Sequence, residues 1–278
     1  MKKAVVLASY LVVGSVFGQD DVVIVDQGTV YDKTMTQATL EVALASAYVW
    51  RGQVINNDPV IQPQITLSQY GFSANIWANY DIGQNMTGVQ YDASEFDFAL
   101  AYSLPVDVNQ MAFDIGLINY NFPANGSYDS SGKTEGVEST TEAFISATVL
   151  SFESFVPSLT FYGDIHNVNQ GAYAVFDIYF PYEVSQFVDI STGYSAGWGN
   201  TKYNDHYWTA TGSGDFDGDW SDHNFYFTAS YEVYEGLTAA TTLNYVVLNG
   251  DSFRNGAMAA GYENDEKAWL SFNLAYDF

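Results

Sequence analysis

The segment Trp269-Leu270-Ser271-Phe272-Asn273-Leu274-Ala275-Tyr276-Asp277-Phe278 decides the fold. Leu270, Phe272, Leu274, Tyr276 and Phe278 share one face, and Ser271, Asn273, Ala275 and Asp277 share the other. A period of two is that of a β-strand, because successive side chains leave opposite faces of the pleat. An edge strand of a soluble sandwich also alternates, but it rarely carries so bulky an apolar face to its end. A strand of a membrane barrel does, since lipid contacts one face and the lumen the other.

The rest of the sequence agrees with that reading. The protein has 278 residues, with 33 acidic and 8 basic side chains, no cysteine and a formal charge of −25. Lys2 and Lys3, the apolar run Ala4 to Val13 and the small-residue site at Val16-Phe17-Gly18 form a secretory signal peptide over 1–18, too short for a membrane anchor. An exported chain without cysteine has no disulfide framework. Such acidity argues against nucleic acid as a partner and suits a protein that meets cations or needs well-solvated loops. No later stretch approaches the roughly 18–20 apolar residues of a membrane helix, yet there are 22 Tyr, 19 Phe and 6 Trp. Lipid admits only helices and closed barrels, because every backbone polar group must be paired there. The expected fold is therefore all-β: a transmembrane, antiparallel, up-and-down barrel of about twelve strands over 38–278, preceded by a periplasmic arm or short plug over 19–37.

Alternating segments are expected near 39–50, 60–68, 72–82, 95–103, 110–120, 142–151, 158–166, 171–180, 187–196, 224–234, 237–247 and 269–278. Leu40, Val42, Leu44, Tyr48 and Trp50 form the outward face of the first. Pro63 removes a ladder bond in the second, and Ile118-Asn119-Tyr120 breaks phase in the fifth, as a bulge would. In the sixth the phase is ambiguous, and Ala143, Ile145, Ala147 and Val149 are assigned outward. Short connections follow the even strands and most long ones the odd, which places both termini in the periplasm. Tyr48, Trp50, Tyr80, Tyr194 and Tyr245 would form the outer aromatic girdle. Tyr102, Phe180, Tyr231, Tyr276 and Phe278 would form the inner one.

Two resemblances refine this. Phe272, Leu274, Tyr276 and the final Phe278 resemble the assembly signal of bacterial outer-membrane proteins, which implies lipid and the barrel-assembly machinery as partners. Ala47-Tyr48-Val49-Trp50-Arg51-Gly52, Asn57-Asp58-Pro59-Val60-Ile61-Gln62-Pro63 and Gly71-Phe72-Ser73-Ala74-Asn75-Ile76-Trp77 resemble the opening hairpins of the TorF family of porins. That resemblance covers about 35 residues. It implies an outer-membrane barrel and a pore, and it supplies no catalytic residues.

The outward faces fix the inward ones. Asp81, Glu95, Asp97 and Glu142, with Arg51, are expected to line the lumen near the outer mouth. Asp114 and Asp164 are expected near the middle, and Glu41, Asp177, Asp189, Glu232 and Asp277 near the inner mouth. Arg51 is the one expected inward base, so the passage should favour cations. Trp77, Tyr162, Tyr173, Tyr179, Tyr226 and Trp269 would narrow it, leaving either a pore for small solutes or one closed at rest. Asp215 to Asp222 spaces carboxylates like a calcium loop but fails the required pattern, with Trp220 in place of Gly and Tyr226 in place of the closing Glu. No metal site and no cofactor is expected. His166 lies two residues from Asp164, but no nucleophile motif accompanies it. The expected function is a porin-like channel for small solutes that prefers cations through its acidic lumen; the alternative is a non-conducting structural or surface-interaction barrel with acidic outer loops.

Overall fold

The computed structural model describes residues 36–84, 90–106, 110–122, 127–128, 134–135, 139–152, 154–168, 170–208, 216–259 and 265–278. The expected signal peptide, the expected arm up to residue 35 and Asp215 lie outside them.

The elements in chain order are β1 (Gln37–Ala45), β2 (Tyr48–Trp50), β3 (Gln53–Asn56), β4 (Val60–Gln69), β5 (Phe72–Gln84), β6 (Gln90–Ser103), β7 (Met111–Asn121), β8 (Ser127–Tyr128), β9 (Thr134–Glu135) and β10 (Thr140–Val149). They continue with β11 (Val156–Asp164), β12 (Ala172–Ser185), β13 (Val188–Gly199), α1 (Thr201–Trp208), β14 (Asp219–Tyr234), β15 (Leu237–Leu248), α2 (Gly250–Ala259) and β16 (Glu266–Asp277). Twelve of the strands close a barrel in the order β1-β16-β15-β14-β13-β12-β11-β10-β7-β6-β5-β4, all antiparallel. The decisive segment is β16, which seals the barrel by pairing with β1 from Thr39↔Asp277 to Ala45↔Ser271. Closure removes both sheet edges. Among the described residues no helix is long and apolar enough to cross a membrane.

The outward face is the expected one. Leu40, Val42, Leu44, Ile65, Ile76, Phe98, Leu117, Phe161, Phe227, Leu243 and Phe272 are all exposed. They form an apolar belt that water alone would not support, since large contiguous apolar surface marks contact with lipid or protein. The ambiguous phase of β10 resolves as expected, with Ile145 exposed and Phe144 and Ser146 buried. The ladder between β4 and β5 skips from Ile61↔Tyr80 to Gln64↔Trp77, the gap falling at Gln62 and Pro63. Gln62 Nε2 reaches Asn79 Oδ1 there at 3.0 Å and ties the strands by side chains instead.

The two barrel ends differ. At the turn end lie the start of β1, the end of β16 and the tight turns at 70–71 and 235–236. At the loop end the chain makes the connections 46–59, 122–139, 165–171, 200–218 and 249–265.

Two sequence expectations fail together. The first strand does not run to Trp50: it stops at Ala45, the chain bends at Ser46 and Ala47, and β2 and β3 form a separate hairpin. Tyr48 and Trp50 are therefore not girdle residues; both are buried, at 1% and 8% exposure. Nor does β7 bulge at Ile118-Asn119-Tyr120, where it stays in unbroken register with β6 and β10. Ile118 and Tyr120 point inward in normal phase and are 1% and 2% exposed. Both misreadings share one cause: the loop half of the interior carries apolar clusters beside its charged groups.

Candidate functional site

The β2–β3 hairpin folds into the barrel and fills its loop end. It can do so because both of its faces are apolar. Tyr48 and Trp50 join a buried cluster with Trp77, Ile118, Tyr120, Phe144, Tyr162, Tyr173 and Tyr203 from the barrel wall and α1. Val49 and Val54 join a second cluster with Trp208, Phe216, Val246, Leu248, Phe253 and Trp269. Helix α1 is started by Asn200, whose Oδ1 accepts from the Tyr203 amide at 2.9 Å, a side-chain cap for an otherwise orphaned donor. It delivers Tyr203 and Tyr207 to the first cluster and Trp208 to the second. Helix α2 supplies Phe253, which meets Trp208 and Phe216 with ring centroids 5.3 Å apart in each case.

At the hairpin tip Trp50 pairs with Gln53, leaving Arg51 and Gly52 as a two-residue turn. Both have positive φ, 45° and 77°. This is the geometry in which Asn-Gly is usual, because its twist matches that of the flanking strands. Gly52 is needed twice over: its backbone is left-handed, and a Cβ there would lie 2.6 Å from Asp222 Cβ. Arginine has no such exemption, and the left-handed conformation costs it about 1–2 kcal/mol. Its side chain supplies the compensation.

The Arg51 guanidinium, 1% exposed, forks onto Glu142: Nη1 donates to Oε1 at 2.9 Å and Nη2 to Oε2 at 2.7 Å. Nη1 also reaches the Tyr203 hydroxyl at 3.3 Å. The Tyr120 hydroxyl accepts from Nη2 at 3.5 Å and donates to Glu142 Oε2 at 3.1 Å. Aromatic rings surround the same cation, with centroids 4.4 Å from Cζ for Tyr162 and Tyr173, 4.6 Å for Trp50 and 5.7 Å for Tyr203. Cation–π contacts reach about 2 kcal/mol once desolvated, and a bidentate guanidinium–carboxylate pair is among the stronger hydrogen-bonded contacts. Burial pushes the Tyr203 hydroxyl well above the ordinary tyrosine range, against a smaller opposing pull from Arg51, so it stays a neutral partner. Burial also lowers His206 below the usual imidazole range, partly opposed by Asp164, so it adds no fixed positive charge to this end at neutral pH.

The expected inward carboxylates do face inward, but they serve different purposes. Asp81 accepts from Asn56 Nδ2 at 2.7 Å and Asn79 Nδ2 at 2.9 Å, which ties the hairpin to β5. Glu95 accepts from the Tyr48 hydroxyl at 2.9 Å. Asp97 is buried beside them. Asp164 is not at mid-depth: it ends β11, and its Oδ1 accepts the amides of His166, Asn167 and Val168, each at 2.9 Å, so it caps the following loop. Thr140 also donates to it. Asp114 is not central either, since it lies opposite Ser103, the last residue of β6, toward the turn end. The mid-strand positions belong to Glu41, opposite Gln64, and to Asp177, between Ser158 and Ser195. Asp189 is buried near the turn end, whereas Glu232 is half-buried and Asp277 exposed, its Oδ1 accepting from Thr39 Oγ1 at 2.6 Å.

Sequence reasoning missed two residues here. Asp222, placed in the acidic loop, is a fully buried inward residue of β14 that accepts from Ser221 Oγ at 2.6 Å and Asn224 Nδ2 at 2.8 Å. Its phase with Asn224 and Tyr226 was the available signal. Arg51 is also not the sole inward base: Lys267, two residues before the buried Trp269, reaches Asn57 at the rim. Because β14 already begins at Asp219, the run to Asp222 cannot wrap an ion as a single loop.

A closed twelve-stranded barrel, apolar outside and charged within, has the architecture of outer-membrane β-barrels. The chain belongs to the family described as a bacterial protein of unknown function (Gcw_chp), which matches residues 32–253. No curated protein matches it. Among solved structures, an outer-membrane channel from Pseudomonas putida F1 is similar with a TM-score of 0.53 and 10% identity, over 90% of this chain and 100% of that one. The KdgM porin in complex with disordered oligogalacturonate is similar with a TM-score of 0.50 and 8% identity, over 87% of this chain and 99% of that one. Identities this low speak for the fold alone.

Proposed function

We propose that the protein is an outer-membrane channel for small solutes, cation-preferring rather than catalytic, with its outer mouth shut by the β2–β3 hairpin in the conformation described here. The loop end faces the cell exterior and both barrel termini face the periplasm. The resemblance of 47–77 to TorF-family porins points the same way. The observation that carries the reading is the sign of the interior. Arg51 is spent on Glu142, while Glu41, Asp114, Asp177 and Asp189 have no cationic partner among the described residues. Glu41 Oε2, Asp114 Oδ2 and both Asp189 oxygens meet no protein donor there. Buried acceptors need donors or positive charge, and a row of carboxylates in a confined passage raises cation concentration and repels anions. The KdgM porin is described with a polyanion; this interior would repel one.

The test is the reversal potential across a planar bilayer in a tenfold salt gradient. Each interior carboxylate acts at a dielectric well below that of water, contributing about 1–4 kcal/mol at contact distance. Whenever the mouth opens, wild type should be cation-selective, and Glu41→Gln with Asp177→Asn, both at mid-strand, should shift selectivity more than Asp217→Asn with Asp219→Asn, both exposed at the loop end. Anion selectivity, or equal shifts from the two pairs, would overturn the reading. The second reading, a non-conducting barrel, is favoured by the filled loop end itself; absence of any conductance, including after removal of the hairpin, would establish it.

Phe272, Leu274, Tyr276 and Phe278 serve, in this reading, as the signal by which the assembly machinery receives the chain. Phe278 is 73% exposed, its amide donates to Ala38 O at 2.9 Å and its ring meets Tyr276, so its side chain makes few contacts within the finished barrel. Phe278→Ser should therefore lower the yield of heat-modifiable barrel in cells while leaving the thermal stability of the folded fraction nearly unchanged. Equal loss of both would make it an ordinary packing residue.

A further inference from the structure

The cage around Arg51 divides into a fixed part and a loop part. Glu142, Tyr120, Tyr162 and Tyr173 project from β10, β7, β11 and β12, which are consecutive strands of the wall. Trp50 and the occupant itself sit on the hairpin, and Tyr203 sits on α1. The wall thus holds a carboxylate flanked by two tyrosine rings, each with its centroid 4.4 Å from the guanidinium carbon, and a hydroxyl that orients one carboxylate oxygen. The cation is presented by a residue in left-handed backbone geometry, φ 45°. Strained residues concentrate at clamps and switches, where surrounding contacts must hold them in place.

We infer that Glu142, Tyr120, Tyr162 and Tyr173 form a binding site for small guanidinium-bearing molecules, and that Arg51 is its tethered competitor. The chemistry selects this class. Two parallel N–H···O bonds, at 2.9 and 2.7 Å, require a planar fork. An ammonium is a compact, strongly hydrated point charge that cannot make them, and it stacks poorly between flat rings. A free guanidinium compound can make the fork on Glu142, the Tyr120 contact and the stacking on Tyr162 and Tyr173 without bending a backbone. The hairpin residues then close over the site when it is empty of ligand and withdraw when it is filled. The assignment goes beyond the channel reading and does not depend on it, because a barrel that conducts nothing can still bind.

The test is calorimetric titration of the full-length barrel folded in detergent, with methylguanidinium and butylammonium as probes. Arg51→Gly removes the competitor and suits the left-handed turn. It should bind methylguanidinium at least about tenfold more tightly than wild type and more tightly than it binds butylammonium. Adding Glu142→Gln should abolish that binding. Equal affinity in wild type and Arg51→Gly, equal affinity for the two probes, or binding that survives Glu142→Gln would each overturn the assignment. Should Arg51→Gly fail to fold alone, methylguanidinium present during refolding should restore the heat-modifiable form while butylammonium does not; no rescue, or rescue by both, overturns it equally.

Discussion

Replacing residues 47–57 by two glycines, so that Ser46 joins Asp58, should open the barrel and raise its single-channel conductance about tenfold or more. The deletion is designed on the pairing of Ala45 with Val60, which brings the ends of β1 and β4 together directly beneath the hairpin. A short loop of Ser46, two glycines, Asp58 and Pro59 closes such a strand pair without strain. Pro59 is kept because its carbonyl accepts from Ile82 and Gly83. The deletion withdraws Tyr48, Val49, Trp50 and Val54 from the two clusters that fill the loop end. What remains is a twelve-stranded wall with α1 and α2 at its loop end, and a barrel of that size lies between those packed with side chains and those enclosing an aqueous channel. A correctly folded deletion variant that conducts no better than wild type would show that the hairpin is not the barrier.

The same hairpin marks where the sequence was legible and where it was not. Alternation reports orientation only when the two faces of a strand meet different surroundings. On β16, β5 and β14 one face meets lipid and the other a polar interior, and Phe272, Ile76 and Phe227 were placed correctly. At Tyr48-Val49-Trp50 both faces are buried in apolar clusters, so the run read as a continuation of β1 into the outer girdle. Ile118 and Phe144 obscured the phase of β7 and β10 for the same reason: they face an interior filled with rings. The inward list of carboxylates, Asp222 apart, was recoverable because charge is excluded from lipid. The depth of Asp114, Asp164, Glu41 and Asp177 was not, because strands in a barrel are tilted and staggered. That register is set by pairings, such as Glu142↔Asp164 and Ser103↔Asp114, between residues far apart in sequence. The cage itself combines β7, β10, β11, β12, the hairpin and α1, and no local pattern announces such a meeting. Arg51, Glu142, Tyr162 and Tyr173 were each placed inward, Arg51 and Glu142 at the same mouth, but nothing local showed that they meet.

Glu142→Ala should cost about 3–5 kcal/mol of stability, the usual penalty for leaving a buried charge without its partner. Arg51 and Glu142 have side chains 1% and 2% exposed and 2.7 Å apart, so solvent cannot replace the lost carboxylate in place. The rings of Tyr162 and Tyr173 remain, but cation–π attraction of about 2 kcal/mol does not offset the desolvation of a guanidinium. Arg51→Met in the same chain should recover much of the loss, because an apolar side chain of similar length suits a cage of rings better than a cation that has lost its carboxylate. The measurement is equilibrium unfolding of the four members of this double-mutant cycle in urea, in lipid vesicles. Guanidinium is unsuitable as the denaturant here, since the proposed site would bind it. A large coupling energy between positions 51 and 142 is the expected outcome. If Glu142→Ala costs less than about 1 kcal/mol and leaves the conductance unchanged, the pair behaves as a solvated one and does not hold the hairpin in the barrel.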